Sequence, residues 1–209
     1  MNIKMNSILK TSQQIKQRAK GILSMTVMMT ALSVGAINPA AAEINPAHLN
    51  DIKAIKINNS QVITAGLPTS AEFQTLQQAG VEVVINLIPT DNPNFLTEEP
   101  KLVSDAGMQY ENIEVNWQQP KIEDVEQFFA VMEQHNDKSI LVHCAANYRA
   151  SAFYYLYLAT QGIDVSGEVL EDTLSPWGDL QQSFAKYPQW QALIDEVKLK
   201  YSTSQVQSN

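Results

Sequence analysis

Two spacings of apolar residues alternate along the chain after about residue 60. Short β-branched runs are typical of buried strands, and apolar residues three or four positions apart are typical of amphipathic helices. The strand pattern predicts strands at Gln61–Ala65, Val81–Ile88, Met108–Val115 and Ile140–His143. The helical pattern predicts helices from Thr69 to a stop at Gly80, at Thr97–Asp105, Ile122–Gln134 and Ala150–Gln161, and in the region that follows to about Tyr201.

The order of these elements predicts the fold class. Strands that alternate with helices favour an α/β fold with a mostly parallel central sheet, flanked by helices on both faces and followed by C-terminal helices. No repeat or low-complexity linker divides the chain, so residues 43–209 are predicted to form a single domain with a frayed tail from about 202. Ligands of such sheets bind at the carboxyl ends of the strands, and Cys144 directly follows the strand Ile140–His143.

The first 42 residues have the layout of a bacterial secretory signal peptide. Five basic residues and no acidic ones precede an apolar run at 21–36, and Ala40 and Ala42 are the small residues that favour cleavage after Ala42. The alternative is an uncleaved membrane anchor, but the apolar run is short for a membrane span. We therefore expect a periplasmic or secreted protein without stable membrane association after cleavage.

Removal of this leader makes the protein strongly acidic. The full chain carries a formal net charge of −8, and the mature chain keeps nine basic against 22 acidic side chains, a net charge of −13. Such a surface repels nucleic acid and anionic lipid, so we expect no nucleic-acid partner. Any phosphate must be bound by a local site that works against the overall field.

Cys144 is the only cysteine in the chain, so it is a buried apolar residue, an intermolecular link or a reactive group. The loop that follows it enters a helix, and backbone N–H groups at a helix N-terminus can bind an anion and favour a thiolate. Arg149 adds a planar guanidinium that can bind two phosphoryl oxygens. The pattern predicts Cys144 as a nucleophile toward phosphate, which is bound by Arg149 and by the loop residues Ala145, Ala146, Asn147 and Tyr148.

The stretch VHCAANYRASAFYYLYL, at 142–158, resembles the phosphate-binding loop and following helix of cysteine-dependent phosphatases of the dual-specificity type. That family usually has five residues between Cys and Arg, and this chain has four. The short loop is similar to that of a bacterial branch, the phosphatase-like domain of beta-lactamase hydrolase-like proteins. Two further stretches fit the same branch: ITAGLPTSAEFQTLQQAGVEVVINL and IEVNWQQPKIEDVEQFFAVM. The resemblance implies hydrolysis of phosphate monoesters through a cysteinyl-phosphate intermediate.

Four residues around the loop differ from or support this resemblance. The glycine common in the family is absent, and we expect Asn147 to adopt the left-handed backbone because Asn tolerates it best after glycine. The hydroxyl residue usual directly after the Arg is replaced by Ala150, and Ser151 follows one position later as a supporting residue. The resemblance implies that His143 hydrogen-bonds the loop and favours the thiolate.

The general acid of the family is missing at its expected position. Asn116 stands there, and an amide cannot protonate a leaving oxygen as a carboxylic acid can. Asp124 is a second candidate, although with Glu123 it opens a predicted helix and suits the helix dipole. Asp91 and Asn92 are predicted to form a turn on the same side of the sheet. Without an acid, activity should be weak and depend steeply on the leaving group.

These patterns leave two alternatives to an exported phosphatase acting on a phosphorylated protein or a small phosphoester. One is a catalytically weak or inactive phosphate-binding module, and the other is a rhodanese-like sulfurtransferase whose loop also begins with a cysteine. No cofactor is expected. No metal site is expected either, because His48 and His135 lack neighbours of the ligand type.

Overall fold

The computed structural model describes the backbone of residues 43–163 and 165–206, and the side chains among them through Tyr201. The predicted signal peptide and the last three residues of the predicted tail lie outside this part of the chain. None of the described helices is both long and apolar enough to span a bilayer.

A five-stranded sheet forms the centre of the domain. The strands are β1 (Lys56–Ile57), β2 (Val62–Ala65), β3 (Val83–Asn86), β4 (Gln109–Asn112) and β5 (Ile140–His143). Their spatial order is β1–β2–β5–β3–β4. The strand β1 pairs antiparallel with β2, and the other neighbouring strands are parallel. The mostly parallel sheet predicted from the sequence is therefore confirmed.

Helices connect the parallel strands and complete the C-terminal region. Two short 3-10 turns, at Pro46–His48 and Ser175–Trp177, accompany them. The helices are α1 (Glu72–Gln78), α2 (Glu99–Asp105), α3 (Ile122–Gln134), α4 (Tyr148–Thr160), α5 (Glu168–Thr173), α6 (Leu180–Lys186) and α7 (Pro188–Val206).

The sheet separates two apolar clusters, because successive residues of a strand point to opposite faces. In β3, Val83 and Ile85 join the cluster that contains side chains of α3, α4 and α7. Val84, between them, joins the cluster that contains side chains of α1 and α2. The central strands are buried on both faces, which explains their nearly continuous apolar sequences.

The structure differs from the predicted elements in several of their bounds, and β3, for example, is shorter than the predicted Val81–Ile88. The two-residue strand β1 was not predicted, because two residues are too few to show a period. The strand β4 is shorter than the predicted Met108–Val115, although Ile113 and Val115 are buried beyond its end. The last helix continues through Val206, past the predicted end at about Tyr201, and no glycine or proline interrupts that segment.

The register of the central strands brings three loops together. Asn86, at the end of β3, lies opposite His143 of β5 and Asn112 of β4. These three strands are parallel and end at the same level. The loops that follow them therefore meet at one edge of the sheet.

Candidate active site

The loop between β5 and α4 contains the Cys-to-Arg segment predicted to bind phosphate. Cys144 directly follows β5, and its side chain is 1% exposed. Asn147 is the N-cap of α4 and has φ 65° and ψ 5°, in the left-handed region. The prediction that Asn147 adopts the left-handed backbone is confirmed. The turn allows the chain to enter α4 immediately, so Arg149 lies in the first turn of the helix.

Arg149 lies close enough to Cys144 for the two side chains to interact. The Arg149 side chain is buried, and burial lowers the pKa of its guanidinium, whereas its interaction with the neighbouring Cys144 raises that pKa. The guanidinium carbon lies 5.6 Å from the centroid of the Trp117 ring. Its Nε atom has no hydrogen-bond partner among the described residues, so this donor is available to a bound anion.

A cavity of about 450 Å³ opens over this pair. The three loops at the carboxyl ends of β3, β4 and β5 line it, as expected for a parallel sheet. The lining residues are Pro89, Asp91, Asn92 and Asn94 after β3, Asn116, Trp117 and Gln118 after β4, and Cys144, Ala145, Ala146, Tyr148 and Arg149 after β5. The structure thus brings most of the predicted site residues together around one opening.

A turn at Lys53 and Ala54 supports the Cys-to-Arg loop from behind. Lys53 Nζ donates to the Ala145 carbonyl oxygen at 2.8 Å, and Asn147 Nδ2 donates to the Ala54 carbonyl oxygen at 2.7 Å. Gly66 completes the contact, because a Cβ atom there would lie 3.0 Å from the Lys53 carbonyl oxygen. These contacts orient the backbone of the loop. The sequence analysis missed Lys53, which is 92 positions away from Ala145.

A buried polar network lies beneath the loop. His143 Nε2 is 2.7 Å from Glu99 Oε1, and both side chains are 0% exposed. Asn86 Nδ2 donates to Glu99 Oε2 at 3.0 Å and to the Tyr110 hydroxyl oxygen at 3.1 Å. Burial and the neighbouring Glu99 raise the pKa of Tyr110 above its ordinary value. Glu99, from α2, therefore orients the histidine that precedes Cys144, and it is a second residue that the sequence analysis missed.

The supporting residue Ser151 and the possible general acid Asp124 lie outside the cavity lining, as do His143 and Asn147. Ser151 Oγ donates to the Asn147 carbonyl oxygen at 2.6 Å and accepts from Trp177 Nε1 at 3.2 Å. Asp124 Oδ2 accepts from the Lys121 backbone N–H at 3.2 Å, at the start of α3. Burial raises the pKa of Asp124, partly offset by the hydrogen bond from Lys121. Ser151 is thus hydrogen-bonded to the start of its own helix α4, and Asp124 to the start of its own helix α3.

Asn116 lines the cavity, but its side-chain oxygen already accepts two hydrogen bonds from the backbone. Asn116 Oδ1 accepts the backbone N–H groups of Gln118 at 2.9 Å and Gln119 at 3.0 Å. The neighbouring Trp117 is fixed through its carbonyl oxygen, which accepts from Trp190 Nε1 at 3.1 Å. The Trp117 ring also contacts the ring of Tyr148, with centroids 6.0 Å apart. The cavity therefore has an aromatic wall with a defined position.

A sequence profile of the family described as "DSP-PTPase phosphatase fused to NAD+ Kinase" matches residues 40–184, more than half of the chain. The chain belongs to this family. It is also similar to a solved structure described as "Putative phosphatase (DUF442)" from Shewanella putrefaciens CN-32, with 48% identity and a TM-score of 0.68. That match covers 75% of this chain and 96% of the other. The resemblance to cysteine-dependent tyrosine and dual-specificity phosphatases is thereby confirmed.

More distant structures share the fold. A Cys-to-Ser variant of P. aeruginosa TpbA in complex with phosphotyrosine is 16% identical, with a TM-score of 0.54, and the match covers 78% of this chain and 97% of that one. PTPMT1 in complex with PI(5)P is 15% identical, with a TM-score of 0.54, over 72% and 98% of the two chains. No curated protein matches the chain by sequence.

Proposed function

We propose that this protein is a phosphatase that hydrolyses phosphate monoesters through a cysteinyl-phosphate intermediate on Cys144. The Cys144 sulfur attacks phosphorus, an S–P bond forms, and the P–O bond to the leaving group breaks with its electron pair on oxygen. Water then attacks phosphorus, and the S–P bond pair returns to sulfur as inorganic phosphate leaves. Arg149 and the loop N–H groups stabilise the phosphoryl oxygens in both steps.

One observation carries this proposal: Cys144 and Arg149 line the same cavity, beside the N-terminus of α4. The helix N-terminus and the guanidinium both favour a bound anion. This local positive field is needed because the protein as a whole is acidic. Membership in the phosphatase family supports the same reaction.

The substrate class that we propose is a phosphorylated protein or a small phosphoester. The aromatic wall formed by Trp117 and Tyr148 suits a flat group attached to the phosphate. The structure of TpbA holds phosphotyrosine and that of PTPMT1 holds a phosphoinositide, so proteins with this fold accept quite different alcohols. The predicted signal peptide supports a location of the proposed reaction in the periplasm or outside the cell.

A second candidate function is a phosphate-binding module with little or no turnover. Asn116, which stands at the position expected for the general acid, favours this function. Its side-chain oxygen accepts hydrogen bonds from two backbone N–H groups. Such a module would use the same loop and Arg149. It would bind phosphate or vanadate without cleaving an ester.

Turnover of p-nitrophenyl phosphate by the wild type, Cys144→Ser and Arg149→Lys tests these functions. We expect turnover by the wild type, none by Cys144→Ser, and vanadate binding that Arg149→Lys weakens. Vanadate binding by a wild type that cleaves no aryl phosphate would favour the binding module. Sulfur transfer from thiosulfate to cyanide would instead favour the sulfurtransferase alternative.

A further inference from the structure

We propose that Asp91 is the general acid of this phosphatase and takes the place of the residue that Asn116 replaces. This inference rests on the proposed function, because a general acid has a role only if an ester is cleaved. A proton donor is needed wherever the leaving alcohol is a poor anion. The donor must be a protonatable side chain that lines the same cavity as Cys144 and Arg149.

The residues considered from the sequence do not meet this requirement. Asn116 is an amide, and its oxygen accepts from the backbone N–H groups of Gln118 and Gln119. The carboxylate of Asp124 accepts from the Lys121 N–H at the start of α3 and does not line the cavity.

Asp91 meets the requirement through its position. Among the described residues that line the cavity, it carries the only carboxyl group, and Cys144 and Arg149 line the same cavity. It reaches the cavity from the loop after β3, the strand that lies beside β5 in the sheet. Its carboxyl group makes no hydrogen bond or ion pair with any residue that the structure describes, so both oxygens are available to a substrate.

The surrounding loop holds Asp91 without using its side chain. The Asn92 backbone N–H donates to the Pro89 carbonyl oxygen at 3.0 Å, which closes a turn with Asp91 inside it. Asn92 Oδ1 accepts the Asn94 N–H at 2.9 Å, and Thr90 Oγ1 donates to Glu114 Oε1 at 2.7 Å. The turn role predicted for this pair is therefore carried by Asn92, and the Asp91 carboxyl group is free for another role.

In the proposed step, Asp91 protonates the leaving oxygen while Cys144 takes the phosphoryl group. As the Cys144 sulfur bonds to phosphorus, the P–O bond breaks and its electron pair moves to the leaving oxygen, which takes the proton of the Asp91 carboxyl group. A neutral alcohol leaves, and Asp91 becomes a carboxylate. In the second step this carboxylate takes a proton from the attacking water, and the S–P bond pair returns to Cys144.

This assignment reverses the leaving-group behaviour expected from Asn116 alone. With Asp91 as the acid, the wild type should show a shallow dependence of kcat/KM on the acidity of the leaving phenol. Asp91→Asn should make it steep, because the leaving oxygen must then depart as an anion. Loss of a general acid typically lowers turnover by about 10²–10⁴-fold, and the loss falls mainly on poor leaving groups.

The experiment measures kcat/KM for p-nitrophenyl phosphate and phenyl phosphate with the wild type, Asp91→Asn, Asp91→Glu, Asp124→Asn and Asp137→Asn. Asp137 is an exposed carboxylate just before β5, at the opposite end of that strand from the site, so Asp137→Asn is a matched control. We expect Asp91→Asn to lower kcat/KM for phenyl phosphate about 100-fold or more and for p-nitrophenyl phosphate far less. Asp91→Glu, which keeps the carboxyl group, should recover part of the loss. Vanadate affinity should be unchanged in Asp91→Asn.

The outcomes separate the two proposals. An Asp91→Asn variant that behaves like Asp137→Asn on both substrates, while Cys144→Ser is inactive, would overturn the role of Asp91 alone. A selective loss in Asp124→Asn would assign the acid to Asp124. Turnover that persists in Cys144→Ser would overturn the proposed function itself.

Discussion

Glu99→Gln tests the buried network beneath the Cys-to-Arg loop. Glu99 makes two close contacts in a fully buried site, with His143 Nε2 at 2.7 Å and with Asn86 Nδ2 at 3.0 Å. In Glu99→Gln the side-chain oxygen can still accept a hydrogen bond from one of these two groups. The NH₂ group then lies against the other donor, and no hydrogen bond forms between them. Hydrogen bonds to charged groups are worth about 1.5–3 kcal/mol, and an unsatisfied buried donor costs a further ~1–3 kcal/mol. We expect a loss of roughly 2–4 kcal/mol in the free energy of unfolding.

Urea denaturation followed by fluorescence measures this loss, with Glu98→Gln as the matched control. Glu98 directly precedes Glu99 but is exposed and makes no side-chain capping bond, so its substitution should leave stability unchanged. Because Glu99 orients His143, Glu99→Gln should also slow alkylation of Cys144 by iodoacetamide at pH 7. A Glu99→Gln protein as stable as Glu98→Gln, within ~0.5 kcal/mol, would refute the reasoning.

The other predictions concern the loop and the leader. Arg149→Lys should weaken vanadate binding about tenfold or more, because a point charge loses the two-pronged contact; equal affinity would contradict this. Asn147→Ala should lower the free energy of unfolding by about 2 kcal/mol, through left-handed strain and a lost hydrogen bond, and Asn147→Gly should lower it less; the reverse order would show that strain is unimportant. Lys53→Met should weaken vanadate binding roughly fivefold, since the bond to the Ala145 carbonyl is lost, and no change would remove Lys53 from the support of the loop. Mass spectrometry of protein exported to the periplasm should show Glu43 at the N-terminus, and a retained Met1 would contradict cleavage.

The sheet and the loop could be predicted because their signals are local. Runs such as Val81–Ile88 are buried on both faces, so burial itself produces the apolar sequence from which strands were predicted. The left-handed turn at Asn147 was predicted from the resemblance, since the family commonly has a glycine in this loop, and from the residue type, since few side chains tolerate that conformation.

The rest of the site depends on contacts between distant parts of the chain. In the sequence, Glu99 is an ordinary acidic residue in the first turn of a predicted helix. Its buried role becomes visible only through its pairing with His143, 44 positions away. The role of Lys53 depends likewise on where its turn lies against the loop. Asp91 and Asn92 are both common turn residues, and which of them faces the cavity is decided by tertiary placement.

The central claim is that Cys144 carries the phosphoryl group during turnover, and trapping the intermediate tests it most directly. The protein is mixed with an aryl phosphate, quenched in acid within one turnover, digested and analysed by mass spectrometry. The account predicts the added mass of one phosphoryl group on the peptide that contains Cys144, and its absence in Cys144→Ser. Steady turnover by the wild type with the phosphoryl group on another residue, or on none, would contradict the account.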